Sequence, residues 1–302
     1  MGESCAVRRV SQLAYKKLFM KILIIGANGQ LGRALMQKLT QHELISSTRQ
    51  CCDLTKTTQI KHTIDQYQPD LIINSAAYTK VDQAEDEKVL AFKINCEAPK
   101  IMAQKAFECN IPFIHFSTDY VFDGKKGKAY KEDDPTNPLG IYGASKLAGE
   151  KAIQELGGQN YIFRTSWVYS NFGNNFYLTM KKLSQEREEL KVVADQVGVP
   201  SSSLFIAEQI KIIIPQLNKK NSGIYHLVPN GSCSWYSFAQ AIISKINTKF
   251  NLENLHTIQT SEFPTKAKRP KNSSLDNNKI KQAFMLKFND WKIELGKVIH
   301  EA

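Results

Sequence analysis

The segment IIGANGQLGRAL, which runs on from the apolar stretch KILII at 21–25, sets Gly26, Gly29 and Gly32 across the junction of a strand and a helix. A backbone that curls this tightly needs residues without a β-carbon, and the unpaired N–H groups opening the helix then face an anion. Strand, glycine turn and helix together predict a site for the pyrophosphate of a dinucleotide. Such turns belong to open parallel sheets, so this one feature constrains fold as well as ligand.

The rest of the chain keeps the same rhythm. Apolar runs at 21–25, 43–46, 70–74, 112–116 and 161–165 alternate with amphipathic segments near 30–40, 56–67, 86–108 and 142–156. Strands apolar on both faces and spaced by helices predict a doubly wound α/β fold, a Rossmann-like parallel sheet covered on two sides. Further strands are expected at 191–193 and 224–228, then helices near 234–248, 276–283 and 289–300. The expected division is a dinucleotide-binding domain over 20–170, to which strands near 191–228 also contribute. A smaller, mainly helical and mostly substrate-binding region covers 171–302. Residues 1–19 are basic but lack a continuous apolar core, and are expected to be an unstructured extension, with a short amphipathic helix as the alternative.

Composition narrows the partners. The net charge of +11 invites a nucleic-acid reading, but the lysines are scattered, and the one dense basic stretch, TKAKRPK at 265–271, has no nucleic-acid motif beside it. A solvated basic surface or a phosphate-bearing small substrate fits better. The six cysteines show no Cys-x-x-Cys spacing, which points to reduced thiols in a cytoplasmic protein rather than zinc or disulfides. No apolar run approaches the roughly 18 residues of a membrane span.

The cofactor's identity is read after the second strand. An acid about 20 residues beyond the turn would bind a ribose 2′-hydroxyl, yet ISSTRQ offers Arg49, which suits a 2′-phosphate. NADPH is favoured, with NADH possible. Cofactor contacts are expected from Asn28, Gln30 and Leu31 within the turn, Asp53 and Leu54 in CDLT, and Ala76, Ala77 and Thr79 in NSAAYTKVD.

Catalytic candidates follow from position. HFSTDYVFDG ends a strand and delivers Ser117, Thr118, Asp119 and Tyr120 to the edge where open sheets bind ligands. Tyr142 and Lys146 of GIYGASKLAGE stand at i and i+4 and so share a helix face. Ketone reduction needs a proton donor for the developing alkoxide, and a lysine ammonium would lower the phenol's pKa toward the working range. Lys146 would also bond the nicotinamide ribose, and Thr118 would donate to the substrate oxygen. A second Tyr-x-x-x-Lys, Tyr177 to Lys181, falls in the middle of an expected helix without such a setting. Tyr177 is read as packing and Lys181 as solvated.

The spacing G-x-x-G-x-x-G resembles the short-chain dehydrogenase/reductase superfamily. GANGQLG, NSAAYTKVDQAE, FSTDYVFDG, PLGIYGASKLAGE, RTSWVYSNFGNNF, DQVGVPSS and KRPKNSSLD, in this order, further resemble the dTDP-4-dehydrorhamnose reductase family, extended short-chain dehydrogenases, from Met20 to near the C-terminus. The resemblance implies reduction of the C4 ketone of dTDP-4-dehydro-β-L-rhamnose in nucleotide-sugar biosynthesis, with Thr118, Tyr142 and Lys146 catalytic. It implies substrate contacts from Val81, Asp82, Ser117, Tyr120, Trp167 and Arg269. Asp82 could equally cap the next helix, Trp167 could be core, and Arg269 could be surface charge. Some members carry a metal-holding glutamate where this chain has Ala34, so no metal is expected, and the chain is expected to be a monomer or weak homodimer. A non-catalytic relative of the methionine adenosyltransferase regulatory subunit, or a reductase of another 4-keto sugar nucleotide, would share these motifs.

Overall fold

The computed structural model describes residues 19–247 and 249–301, so the expected extension lies, apart from Phe19, outside the described residues. Its centre is a six-stranded parallel sheet built from β1 (Lys21–Ile25), β2 (Glu43–Ser47), β3 (Leu71–Asn74), β4 (Phe113–Thr118), β5 (Asn160–Thr165) and a later strand, Gly223–His226. The order across the sheet is Gly223–His226, β5, β4, β3, β1, β2. Chain direction across the sheet reverses between β1 and β3, which opens the crevice where such folds bind ligands.

Alternate side chains of each strand feed opposite faces. Ile22, Ile24, Ile73, Ile114 and Phe163 join one core, and Leu23, Ile25, Ile72, Phe113 and Ile162 the other. The second of these is closed by the helices Thr57–Tyr67 (α2), Ala98–Glu108 (α3) and Ile141–Glu155 (α4), through Ile60, Met102 and Ile153. The first is closed by α1 (Gln30–Lys38) and by a helix over Ser203–Ile213.

That last helix was not expected from the sequence. SLFIAEQIKII is apolar on most sides and rich in β-branched isoleucine, so it lacks an amphipathic signature. Packing decides it: Phe205, Ile206, Ile210 and Ile213 are buried. Each such burial contributes about 1.5–3 kcal/mol, against a propensity cost below about 0.7 kcal/mol per residue.

Leu190–Val193 also departs from expectation. It does not join the main sheet but pairs in parallel with Leu255–Ile258. These strands, with helices Phe176–Glu186, Trp235–Ile246 and Trp291–His300, enclose a separate core of Tyr177, Met180, Phe238, Ile242 and Leu295. Tyr177 is fully buried there, at the second residue of its helix rather than in the middle, and Lys181 is half-buried rather than solvated. No helix among the described residues is long and apolar enough to cross a membrane.

Candidate active site

The glycine turn forms as its chemistry requires. Gly26 has φ +83° and its missing β-carbon would lie 2.8 Å from Ala76, while one on Gly32 would lie 2.2 Å from the Gly26 carbonyl oxygen. Gly29, the N-cap of α1, has no side-chain cap, which leaves the helix N–H groups directed at the cleft. Gly32 thus serves helix packing, whereas Gly26, Asn28, Gly29, Gln30 and Leu31 line a cleft of about 800 Å³.

One end of this cleft is bounded by Arg49, Asp53 and Leu54. Arg49 follows β2, exposed, and forms no ion pair among the described residues. Asp53 folds back on Thr55, whose N–H and hydroxyl donate at 3.0 and 2.9 Å and hold the carboxyl below its ordinary range. Ala76, Ala77 and Thr79 line the floor beyond β3, followed by Val81.

At the other end β4 and α4 converge, and Ser117, Thr118, Tyr120, Tyr142, Lys146 and Trp167 share the wall. Ser117 Oγ is buried and has no hydrogen-bond partner among the described residues. Thr118 stands within hydrogen-bond reach of the Tyr142 hydroxyl and donates to Asp119 Oδ1 at 3.1 Å. The Tyr120 and Tyr142 rings meet edge to face at 5.8 Å. Trp167, at φ +46°, stacks on Trp235 with centroids 3.4 Å apart, half-buried at the cleft and not in the core.

The electrostatics differ from expectation. Desolvation pushes Tyr142 up to about 12 and pulls Lys146 down to about 8. Lys146 Nζ donates to the Phe116 carbonyl at 2.6 Å and meets His115 Nε2 at 3.1 Å. The lysine therefore does not lower the phenol in this resting arrangement, because burial disfavours both charged forms.

Asp82 and Arg269 do not line the cleft but lie beside it, joined to each other. Lys80, not Asp82, is the N-cap of the turn Val81–Ala84, and the Asp82 carboxylate instead accepts from Arg269 and from the Ala267 N–H at 3.0 Å. Ala34 is buried between α1 and the core. Sequence reasoning missed His115, Asn74 and Trp235; the first two were visible only as polar residues inside apolar strands.

The glycine turn and the Thr–Tyr–Lys wall opening on one crevice define an NAD(P)H-dependent oxidoreductase of the extended short-chain type. The family model described as the RmlD substrate binding domain matches residues 20–302, and the chain belongs to that family. It is 40% identical to the dTDP-4-dehydrorhamnose reductase of Escherichia coli K12 over 93% of this chain and 98% of that one. It is 42% identical to the enzyme of the same name from Aggregatibacter actinomycetemcomitans over 92% of this chain and 98% of that one. A crystal structure of the Bacillus anthracis dTDP-4-dehydrorhamnose reductase in complex with NADP matches with TM-score 0.89 and 37% identity over 94% of this chain and 99% of that one.

Proposed function

We propose that the chain reduces the C4 ketone of dTDP-4-dehydro-β-L-rhamnose to dTDP-L-rhamnose with NADPH, in cytoplasmic nucleotide-sugar biosynthesis. The observation that carries this reading is the convergence of Thr118, Tyr142 and Lys146 with the glycine turn on one cleft. Bound NADPH supplies the hydride. Tyr142, protonated because burial holds its pKa near 12, donates its proton to the C4 oxygen, and the Thr118 hydroxyl, turned from Asp119 once substrate is bound, donates a hydrogen bond to the same oxygen. Lys146 holds the nicotinamide ribose. Gly26, Asn28, Gly29, Gln30 and Leu31 hold the pyrophosphate, Arg49 the 2′-phosphate, and Asp53, Leu54, Ala76, Ala77 and Thr79 the remaining cofactor surface.

Val81, Ser117, Tyr120 and Trp167 form the substrate side, with Asp82 and Arg269 completing its rim. The same reading assigns residues 20–170 mainly to cofactor binding and 171–302 mainly to substrate, in a monomer or weak homodimer.

The test follows NADPH absorbance with enzymatically produced dTDP-4-dehydro-L-rhamnose. The native chain oxidises NADPH, and Tyr142→Phe is slower by about 10²–10⁴. No oxidation by the native chain overturns the reaction, and full activity in the variant overturns the mechanism.

A further inference from the structure

Helix α4 carries Tyr142 in its first turn, yet that turn has neither a side-chain cap nor an acid of its own. Its N-cap is Gly140, and the N–H groups that open a helix need acceptors and favour negative charge. The acceptor comes from elsewhere in the chain. Glu85, which follows the short turn Val81–Ala84, accepts from the Ile141 N–H through Oε1 at 2.8 Å, across 56 positions of sequence. Its neighbours Asp82 and Asp86 pair with Arg269 and Lys266, whereas Glu85 has no ion pair among the described residues. The carboxylate is therefore left to the helix terminus.

Gly140 makes room for it. A β-carbon at 140 would lie 2.6 Å from Glu85 Oε1, so the carboxylate fills the space that a capping side chain would use. The Gly140 backbone is extended, a conformation open to any residue, so crowding and not a dihedral angle requires glycine there. The same turn is also held against Tyr120, whose carbonyl oxygen a β-carbon on Gly143 would strike. Tyr142 stands between these two contacts. The small core of Tyr78, Ala84 and Ala91 packs against Ile141 and Tyr142 and joins the two segments.

We propose that Glu85 is a positioning residue: it caps α4 in place of a side chain on Gly140, and so fixes Tyr142 relative to the turn Val81–Ala84. That turn borders the cleft through Val81 and is gripped by Arg269 through Asp82. A shift of the rim is thereby passed to the first turn of α4 and to the phenol it carries. The consequence for proton donation rests on the proposed reductase reading, but the cap does not.

The test uses the full chain. Glu85→Ala removes the cap, and Glu85→Ala with Gly140→Asp returns a carboxylate from the N-cap position itself. Glu85→Ala with Gly140→Ala controls for the loss of a glycine, which alone stiffens the unfolded chain. Melting temperature and hydrogen exchange, followed by mass spectrometry on peptides from the start of α4, report the cap without substrate or cofactor. In Glu85→Ala the first turn exchanges about fivefold faster and the melting temperature falls by about 2–4 °C. Gly140→Asp restores most of both losses, and Gly140→Ala does not. NADPH oxidation reports the link to Tyr142: in Glu85→Ala kcat falls at least about fivefold while KM for NADPH stays within a factor of about two, and kcat recovers with Gly140→Asp. Native exchange in Glu85→Ala, or equal recovery with Gly140→Asp and Gly140→Ala, overturns the cap. Native kcat in Glu85→Ala overturns the positioning of Tyr142. A native chain that oxidises no NADPH overturns the reductase reading instead and leaves the exchange result to decide the cap.

Discussion

Arg269 grips Asp82 with both arms of its guanidinium, Nη2 to Oδ2 at 2.8 Å and Nη1 to Oδ1 at 3.2 Å, across 187 positions of sequence. The pair ties the segment after Leu255–Ile258 to the helical turn that borders the cleft, and Arg269 also reaches the Tyr120 hydroxyl.

Arg269→Ala therefore loosens the rim more than it unfolds the chain. Asp82 is 44% exposed, so the ion pair contributes at most about 1 kcal/mol. Steady-state kinetics should show KM for the sugar nucleotide raised about tenfold or more with kcat changed less. A variant with native KM removes the rim from substrate binding.

Arg49 stands where an acid would select the other cofactor. In Arg49→Ala the KM for NADPH should rise at least tenfold while that for NADH stays within a factor of two or three, since a lost charge-assisted hydrogen bond costs about 1.5–3 kcal/mol. Equal efficiency of the native chain with both cofactors contradicts the assignment.

Asp119 predicts a pH dependence of stability. Burial raises its carboxyl from 3.8 to about 6, against hydrogen bonds from Ser273, Ser166 and Thr118 that pull it down. The folded state thus keeps a proton that the unfolded chain has lost. This contribution is fully present below about pH 4, falls as pH rises to about 6, and is level above, an effect on the order of 3 kcal/mol. Asp119→Asn lacks the titration, so its melting temperature should gain on the native chain between pH 4 and 6 and keep a constant offset above. Parallel curves across that window would show that Asp119 does not titrate there.

The sheet was legible because parallel strands buried on both faces leave long apolar runs, as KILII and LIIN do. The helix Ser203–Ile213 was not, since a segment enclosed on most sides carries no polar stripe to set its period. Leu190–Val193 read as a strand, but its partner Leu255–Ile258 comes much later in the chain and alternates too briefly to reveal the pairing. The glycine turn and the Tyr142–Lys146 spacing are local patterns and could be read directly. Asn74 and His115 are directly opposite each other in the β3–β4 register, so their relation exists only once the strands are aligned.

Trp167 leaves β5 in a left-handed conformation that a bulky residue adopts only under constraint, at a cost of order 1–3 kcal/mol. The constraint comes from the neighbouring core, through the stacked ring of Trp235 and through Gly198, where a β-carbon would lie 2.4 Å from the indole. Packing in that core and the shape of the cleft are therefore not separately adjustable: an enzyme engineer who repacks Phe176 or Phe238 beneath Trp235 also moves this wall of the cleft.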